Sequence, residues 1–318
     1  MTTADPDRSR GDDTESDGPA PIKAVPLKHP GQWVAAVIVL VLAGLFVYGA
    51  ATNSAYHWDT FGKYLFERRI LSGVGYTLAL TVLSMVIGVV LGVLLSVMRM
   101  SSNRVLSWTA WVYLWIFRGT PVFVQLTLWG LVGSLYQTVD VGVPFGPTAI
   151  TIDIQELSLK YVFFLAVIGL ALNEAAYMAE IVRAGISSVG EGQMEASVAL
   201  GMSWWQTMRR TVLPQAMRVI IPPTGNEVIS MLKTTSLVTA VPFSLELFGR
   251  QGDISGVNFQ PIPMLLVAST WYLVVTSILM VGQHYIEKHY ERGSSRELSD
   301  SQLKALAAAN RTVVEEGK

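Results

Sequence analysis

A handful of charged side chains fall where a polypeptide can least easily hold them. Arg118, Glu227 and Lys233 lie inside long apolar runs, and Asn173 and Glu174 lie low in another. A charge in hydrocarbon is costly unless it faces a cavity or an opposite charge. The chemistry such groups offer is ionic recognition: a guanidinium or ammonium for a carboxylate, and a carboxylate for an ammonium. Two uses stay open. The charges can line a polar path, or they can form an internal ion pair, for example Arg118 with Glu227, that ties helices together. Gly119, Thr120 and Pro121 follow Arg118 at once and can open its helix. Pro222, Pro223 and Gly225 precede Glu227 and predict a second break. Broken helices present unpaired N–H and C=O groups to ionic substrates, and hydrocarbon tolerates them only against protein or water. Thr120, Gln125, Asn226 and Ser230 stand close by in sequence and add hydrogen-bonding groups. The candidate substrate path is therefore Arg118, Thr120, Gln125, Asn226, Glu227, Ser230 and Lys233.

Other chemistries are excluded. The chain has no cysteine, so thiolate metal sites and thiol nucleophiles are absent. It holds no G-x-x-x-x-G-K-[ST] run to cradle a nucleotide phosphate and no HExxH. No serine has a base placed to activate it. His29, His57, His284 and His289 fall in a tail, in loops or at interfaces, where a lone histidine is a solvated side chain rather than a ligand. No catalytic residue and no metal site is expected. The net charge of -1 gives no footprint for nucleic acid.

The elements that must carry these residues are membrane spans. Of 318 residues, 51% are hydrophobic and only 15% charged, and the mean hydropathy is +0.42 although both ends are polar. A helix crosses the hydrocarbon with about 20 apolar residues. Runs from Trp33 to Thr52, Leu71 to Met98, Trp108 to Tyr136, Leu157 to Met178 and Ile262 to His284 qualify. A further segment, between Val219 and Val241, is weakened by Glu227, Lys233 and its prolines. Charge asymmetry places it across the membrane all the same. With six crossings and the N-terminus inside, about sixteen Lys and Arg lie in cytoplasmic pieces and about four in outer loops, as the positive-inside rule requires. The expected fold is all-α and polytopic. Residues 1–31, acidic and rich in Pro, Gly and Ser, are expected to be a disordered cytoplasmic tail. Residues 32–53 form a first span that is retained rather than cleaved, 70–286 the main transmembrane domain, and 287–318 a second cytoplasmic tail.

One inner loop, 180–218, has a structure of its own. Gly192 to Leu200 has helical spacing, Gly201 ends it, and Ser203 with Gln206 has the spacing of a capping box. Pro214 is expected to end the second helix. The pattern predicts two short helices with a tight break at Gly201. Trp204 and Trp205 suit the headgroup level.

This loop resembles the EAA loop of ABC importer permeases, the membrane subunits of ATP-driven uptake systems. The motif here is Glu195-Ala196-Ser197, then Gly201, then Val212-Leu213-Pro214, with serine in place of the family's usual third alanine. The flanks resemble the polar amino-acid branch: Phe117 to Pro121 with Gln125, Asn173 to Ile181, Arg183, Gly185 to Val189, Gly192-Gln193, Pro222-Pro223, Gly225 to Glu227 and Leu232 to Leu237. The likeness covers about residues 70 to 290. It implies a five-helix permease core, here with one extra helix in front, in a bacterial inner membrane with both termini cytoplasmic. It implies pairing with a second permease subunit, identical or related, and two separate ATPase subunits that carry the Mg-ATP. It implies a separate extracytoplasmic binding protein that delivers a polar amino acid. Glu195, Ala196, Gly201, Leu213 and Pro214 would then couple to the ATPase. The alternative from the residues alone is an ATP-independent transporter or channel.

Overall fold

The computed structural model describes residues 30–136, 138–142, 148–153 and 159–291. Most of the two expected tails, 1–29 and 292–318, lies outside the described residues. The chain divides into two compact units, 1–53 and 54–318. The first contains α1, Pro30–Thr52, which is apolar around its whole circumference. That is the composition of a helix surrounded by lipid or protein rather than one lying on a surface.

In the second unit a short helix α2, Trp58–Tyr64, leads to α3, Arg68–Met100. The Glu67 side chain caps the start of α3 by accepting from the Arg69 backbone N–H at 3.0 Å, so one orphan donor of the first turn is satisfied. The 33 residues of α3 reach about 50 Å, enough to cross with tilt. Next come α4, Arg104–Gly119, α5, Val122–Gly130, and α6, Val132–Leu135. A hairpin follows, of β1, Thr138–Gly142, and β2, Thr148–Asp153. It is antiparallel, with Thr138 opposite Asp153. This is the one departure from an all-helical body among the described residues. Its cause is legible: Thr-Ala-Ile-Thr-Ile-Asp largely alternates polar and apolar and is β-branched.

Helix α7, Leu159–Ser187, is the central element. It packs along α3 through facing ladders of small residues at four-residue spacing: Gly88, Gly92 and Ser96 on α3, and Ala171, Ala175 and Ala179 on α7. A Cβ at Gly92 would stand 2.5 Å from the Met178 Cβ, and one at Gly88 would stand 2.7 Å from the Glu174 Cγ. Only glycine permits that approach, which is how helices associate where lipid removes the hydrophobic drive. Leu80, Met85, Leu126, Leu170, Met231 and Phe243 fill the main core beside this seam.

After the inner loop come α10, Leu213–Thr234, a 3₁₀ segment Thr235–Ala240, α11, Leu247–Asn258, and α12, Pro261–Glu291. The expected break at Pro222–Gly225 is not there: α10 runs through both prolines. Two side-chain bonds brace this stretch. Thr224 Oγ1 donates to the Ile220 carbonyl at 2.7 Å, and Gln283 Nε2 donates to the Pro222 carbonyl at 2.7 Å. Gly225 leaves the room that the Gln283 side chain occupies. The irregular stretch lies later, in the 3₁₀ segment. Four helices among the described residues, α1, α3, α7 and α12, are long and apolar enough to cross a membrane by themselves. The other two expected spans correspond to the broken α4–α5 pair and to the charged, proline-bearing α10.

Candidate functional site

The site begins at the break between α4 and α5. Pro121 has no N–H and forces the residue before it out of the helical region, and Thr120 is extended at φ -117, ψ 144. The carbonyls this frees need donors. Gln125 Nε2 donates to the Phe117 carbonyl at 2.9 Å and to the Thr120 Oγ1 at 2.8 Å. Asn173 Nδ2, from α7, donates to Gln125 Oε1 at 3.0 Å and to the Phe117 carbonyl at 3.2 Å. Gln125 and Asn173 are both buried. The structure thus places Gln125 behind the wall of the break, as its clamp, and not among the residues that line open space.

In front of the clamp lies a cavity of about 510 Å³. Arg118 and Thr120 come from the break, Glu174 and Tyr177 from α7, and Glu227, Ser230, Met231 and Thr234 from α10. The α10 residues are spaced i, i+3, i+4 and i+7, one helical face. Arg118 does not pair with Glu227, as the sequence suggested it could. Its ion-pair partner is Glu180, with Nη1 4.0 Å from Oε1, and its guanidinium lies over the Tyr177 ring, 5.7 Å from the centroid. Glu180 is within reach because it sits one turn beyond Tyr177 on α7. Glu174 is only 4% exposed, and its Oε1 has no hydrogen-bond partner.

The remaining sequence candidates lie on the neighbouring face of α10. Asn226, Ser230 and Lys233 line a second cavity of about 350 Å³ with Met280, Gln283, His284 and Glu287 of α12. The expected path therefore divides into two pockets that share Ser230. Tyr177 was not among the sequence candidates, and Glu174, singled out there as an intramembrane charge, was left out of the candidate path although its cost in hydrocarbon was a usable signal.

The inner loop folds as two helical pieces, α8, Glu191–Ala199, and α9, Trp204–Thr207. Between them Gly201 has φ +73. The Gly201 N–H donates to the Val198 carbonyl at 2.9 Å and the Met202 N–H to the Ser197 carbonyl at 3.1 Å, the paired bonds of a Schellman motif. The capping box at Ser203 and Gln206 is present. The second helix does not stop at Pro214. It passes through a π turn, Met208–Val212, directly into α10. Proline removes the N–H that the helix would have used there, and the wider turn absorbs the defect. Glu195 and Ala196 are exposed, as are Leu213 and Pro214. Leu200 and Trp204 are 81% and 71% exposed, an apolar surface with no cover in a single chain. Ser197, the departure from the usual motif, is buried; its hydroxyl donates to the Gln193 carbonyl at 2.8 Å and lies 3.0 Å from Thr211 Oγ1.

Residues 85–292 match the family described as binding-protein-dependent transport system inner membrane component. The chain belongs to that family. It is a multi-pass permease subunit of an ABC importer, of the polar amino-acid branch, which sets aside an ATP-independent transporter or channel. The chain is 60% identical over 303 residues to the arginine transport system permease protein ArgU of Corynebacterium glutamicum, covering 95% of this chain and 94% of that protein. It is 34% identical over 226 residues to the histidine/lysine/arginine/ornithine transport system permease protein HisM of Escherichia coli, covering 69% and 87%. Among solved structures, an amino acid ABC transporter with histidines aligns at TM-score 0.58 and 33% identity over 70% of this permease and 94% of that chain. The inward-facing methionine transporter MetNI shares the fold at TM-score 0.54 and 21% identity, over 71% and 98%. A permease of this family is the membrane component of its transport system and not the catalytic one.

Proposed function

We propose that this permease carries a basic amino acid, and that the cavity at the α4–α5 break is on its path. The observation that carries the reading is the charge arrangement there. Glu174 holds a buried carboxylate oxygen without a partner among the described residues, Glu227 adds a second acid, and Arg118, the one cation lining the cavity among the described residues, already faces Glu180. Such a site is short of positive charge. A substrate with a carboxylate for Arg118 and cationic nitrogens for the acids completes it, since buried charges are stable only when paired. Thr120 and Ser230 add hydroxyls. Asn226 and Lys233, in the adjoining pocket, form a second stage of the same path. The names of the relatives, arginine for one and histidine, lysine, arginine and ornithine for the other, support the same class.

The permease crosses the membrane six times, with α1 in front of a five-helix core and both termini in the cytoplasm. The loop with Gly201 at its bend faces the cytoplasm and seats in a groove of a separate ATPase subunit, which holds the Mg-ATP. Leu200, Trp204 and the exposed Glu195 supply the contact, a helix-in-groove mode, and Ala196, Leu213 and Pro214 flank it. A second permease subunit and an extracytoplasmic binding protein complete the importer. The test is Arg118→Ala in the assembled complex. Uptake of radiolabelled arginine falls by about tenfold or more, the scale of a lost charged contact, while the complex still purifies whole. Loss of assembly instead would show a structural ion pair and end the reading.

A further inference from the structure

Arg118, Glu174 and Glu227 line one cavity, and opposite charges lining one cavity attract each other. Arg118 pairs with neither acid. Its contacts are the Tyr177 ring and Glu180. Glu180 is itself fixed: Arg183 donates to its Oε2 through Nε at 3.0 Å and through Nη2 at 2.7 Å, which leaves Oε1 toward Arg118. Tyr177, Glu180 and Arg183 follow at three-residue steps on α7. That helix is held to α3 by the small-residue seam, so the three share one face of a packed helix. The 4.0 Å separation between Arg118 and Glu180 is too long for a tight bond; it biases the guanidinium without consuming its donors.

We propose that Glu180, braced by Arg183, is the positioning residue of this cavity: it draws the Arg118 guanidinium aside and keeps it from closing on Glu174 and Glu227. The inference rests on the reading of the cavity as the substrate's path. Held this way, Arg118 keeps donors free for a substrate carboxylate, and both acids stay open for the cationic end. Without Glu180, the anions left to Arg118 in the cavity wall are those two, and the site neutralises itself before substrate arrives.

The test is equilibrium binding of radiolabelled arginine to the purified complex of permease and ATPase subunits, with the binding protein omitted. Glu180→Gln preserves shape and removes charge; it weakens binding about fivefold or more, as coupled charge networks do, and Glu180→Asp recovers part of the loss. Added to Arg118→Ala, the Glu180→Gln change has no further effect, because it acts through Arg118. Equal losses in both backgrounds mark a merely structural side chain and overturn the inference. Unchanged binding in Glu180→Gln overturns it too, as does failure of that variant to assemble. Should Arg118→Ala alone bind arginine normally, the cavity is not the path, and the inference falls together with that reading.

Discussion

At the proposed transport cavity, Gln125 stands behind the wall and holds the helix break open. Its amide serves the Phe117 carbonyl and Thr120 and accepts from Asn173, so the opening of the helix at Pro121 leaves few backbone groups orphaned. Gln125→Leu keeps the approximate volume and removes that service. An unsatisfied buried polar group costs about 1–3 kcal/mol, so the variant complex should melt several degrees lower while arginine binding to surviving folded complex changes little. Binding lost at unchanged stability would instead put Gln125 on the path. The proline rule made the break itself legible, because Pro121 restricts Thr120 locally. The clamp was not legible, since Asn173 lies 48 positions from Gln125 and a tertiary hydrogen bond leaves no mark on local sequence. The same limit explains the pairing of Arg118: its depth could be read, but its choice of Glu180 over Glu227 depends on which face of α7 meets the break.

At the scale of elements, the bend at Gly201 was the feature most openly written in the chain, because each part of it is a local rule: a glycine at C′, a capping box three residues apart, and periodic apolar positions before it. A β-branched residue cannot take φ +73 without a cost of about 1–2 kcal/mol. Gly201→Val should distort the bend and leave ATP hydrolysis running without proportionate uptake. Proportional uptake and hydrolysis in that variant would remove the coupling role. The prolines misled where the glycine did not. Pro214 and Pro222–Pro223 each suggested an end or a break, yet the chain passes Pro214 by a π turn and stays helical through Pro222–Pro223, a stretch braced by Thr224 and Gln283. Proline states which donor is missing; only the packed neighbours decide whether the helix continues. In consequence the second helix of the bend and α10 form one continuous rod from the loop to the wall of both cavities. On the proposed coupling, a push at Trp204 would reach Glu227 and Ser230 with no joint except the π turn.

For the whole molecule, the sequence's apolar runs and its basic residues already defined a polytopic helical protein, and the structure has four helices long and apolar enough to cross, α1 among them. The division of the candidate path residues between two pockets was not legible, because adjacent faces of α10 differ by one residue in register and share Ser230. On the proposed function, the bend around Gly201 is driven by a nucleotide-hydrolysing partner so that the bundle moves a basic amino acid inward. The most direct measurement is uptake of radiolabelled arginine into vesicles that hold this permease with its ATPase subunits and the binding protein, with and without enclosed ATP and magnesium. Accumulation is expected only when nucleotide is enclosed and hydrolysed. Accumulation by vesicles that hold the permease alone, with no nucleotide supplied, would contradict it.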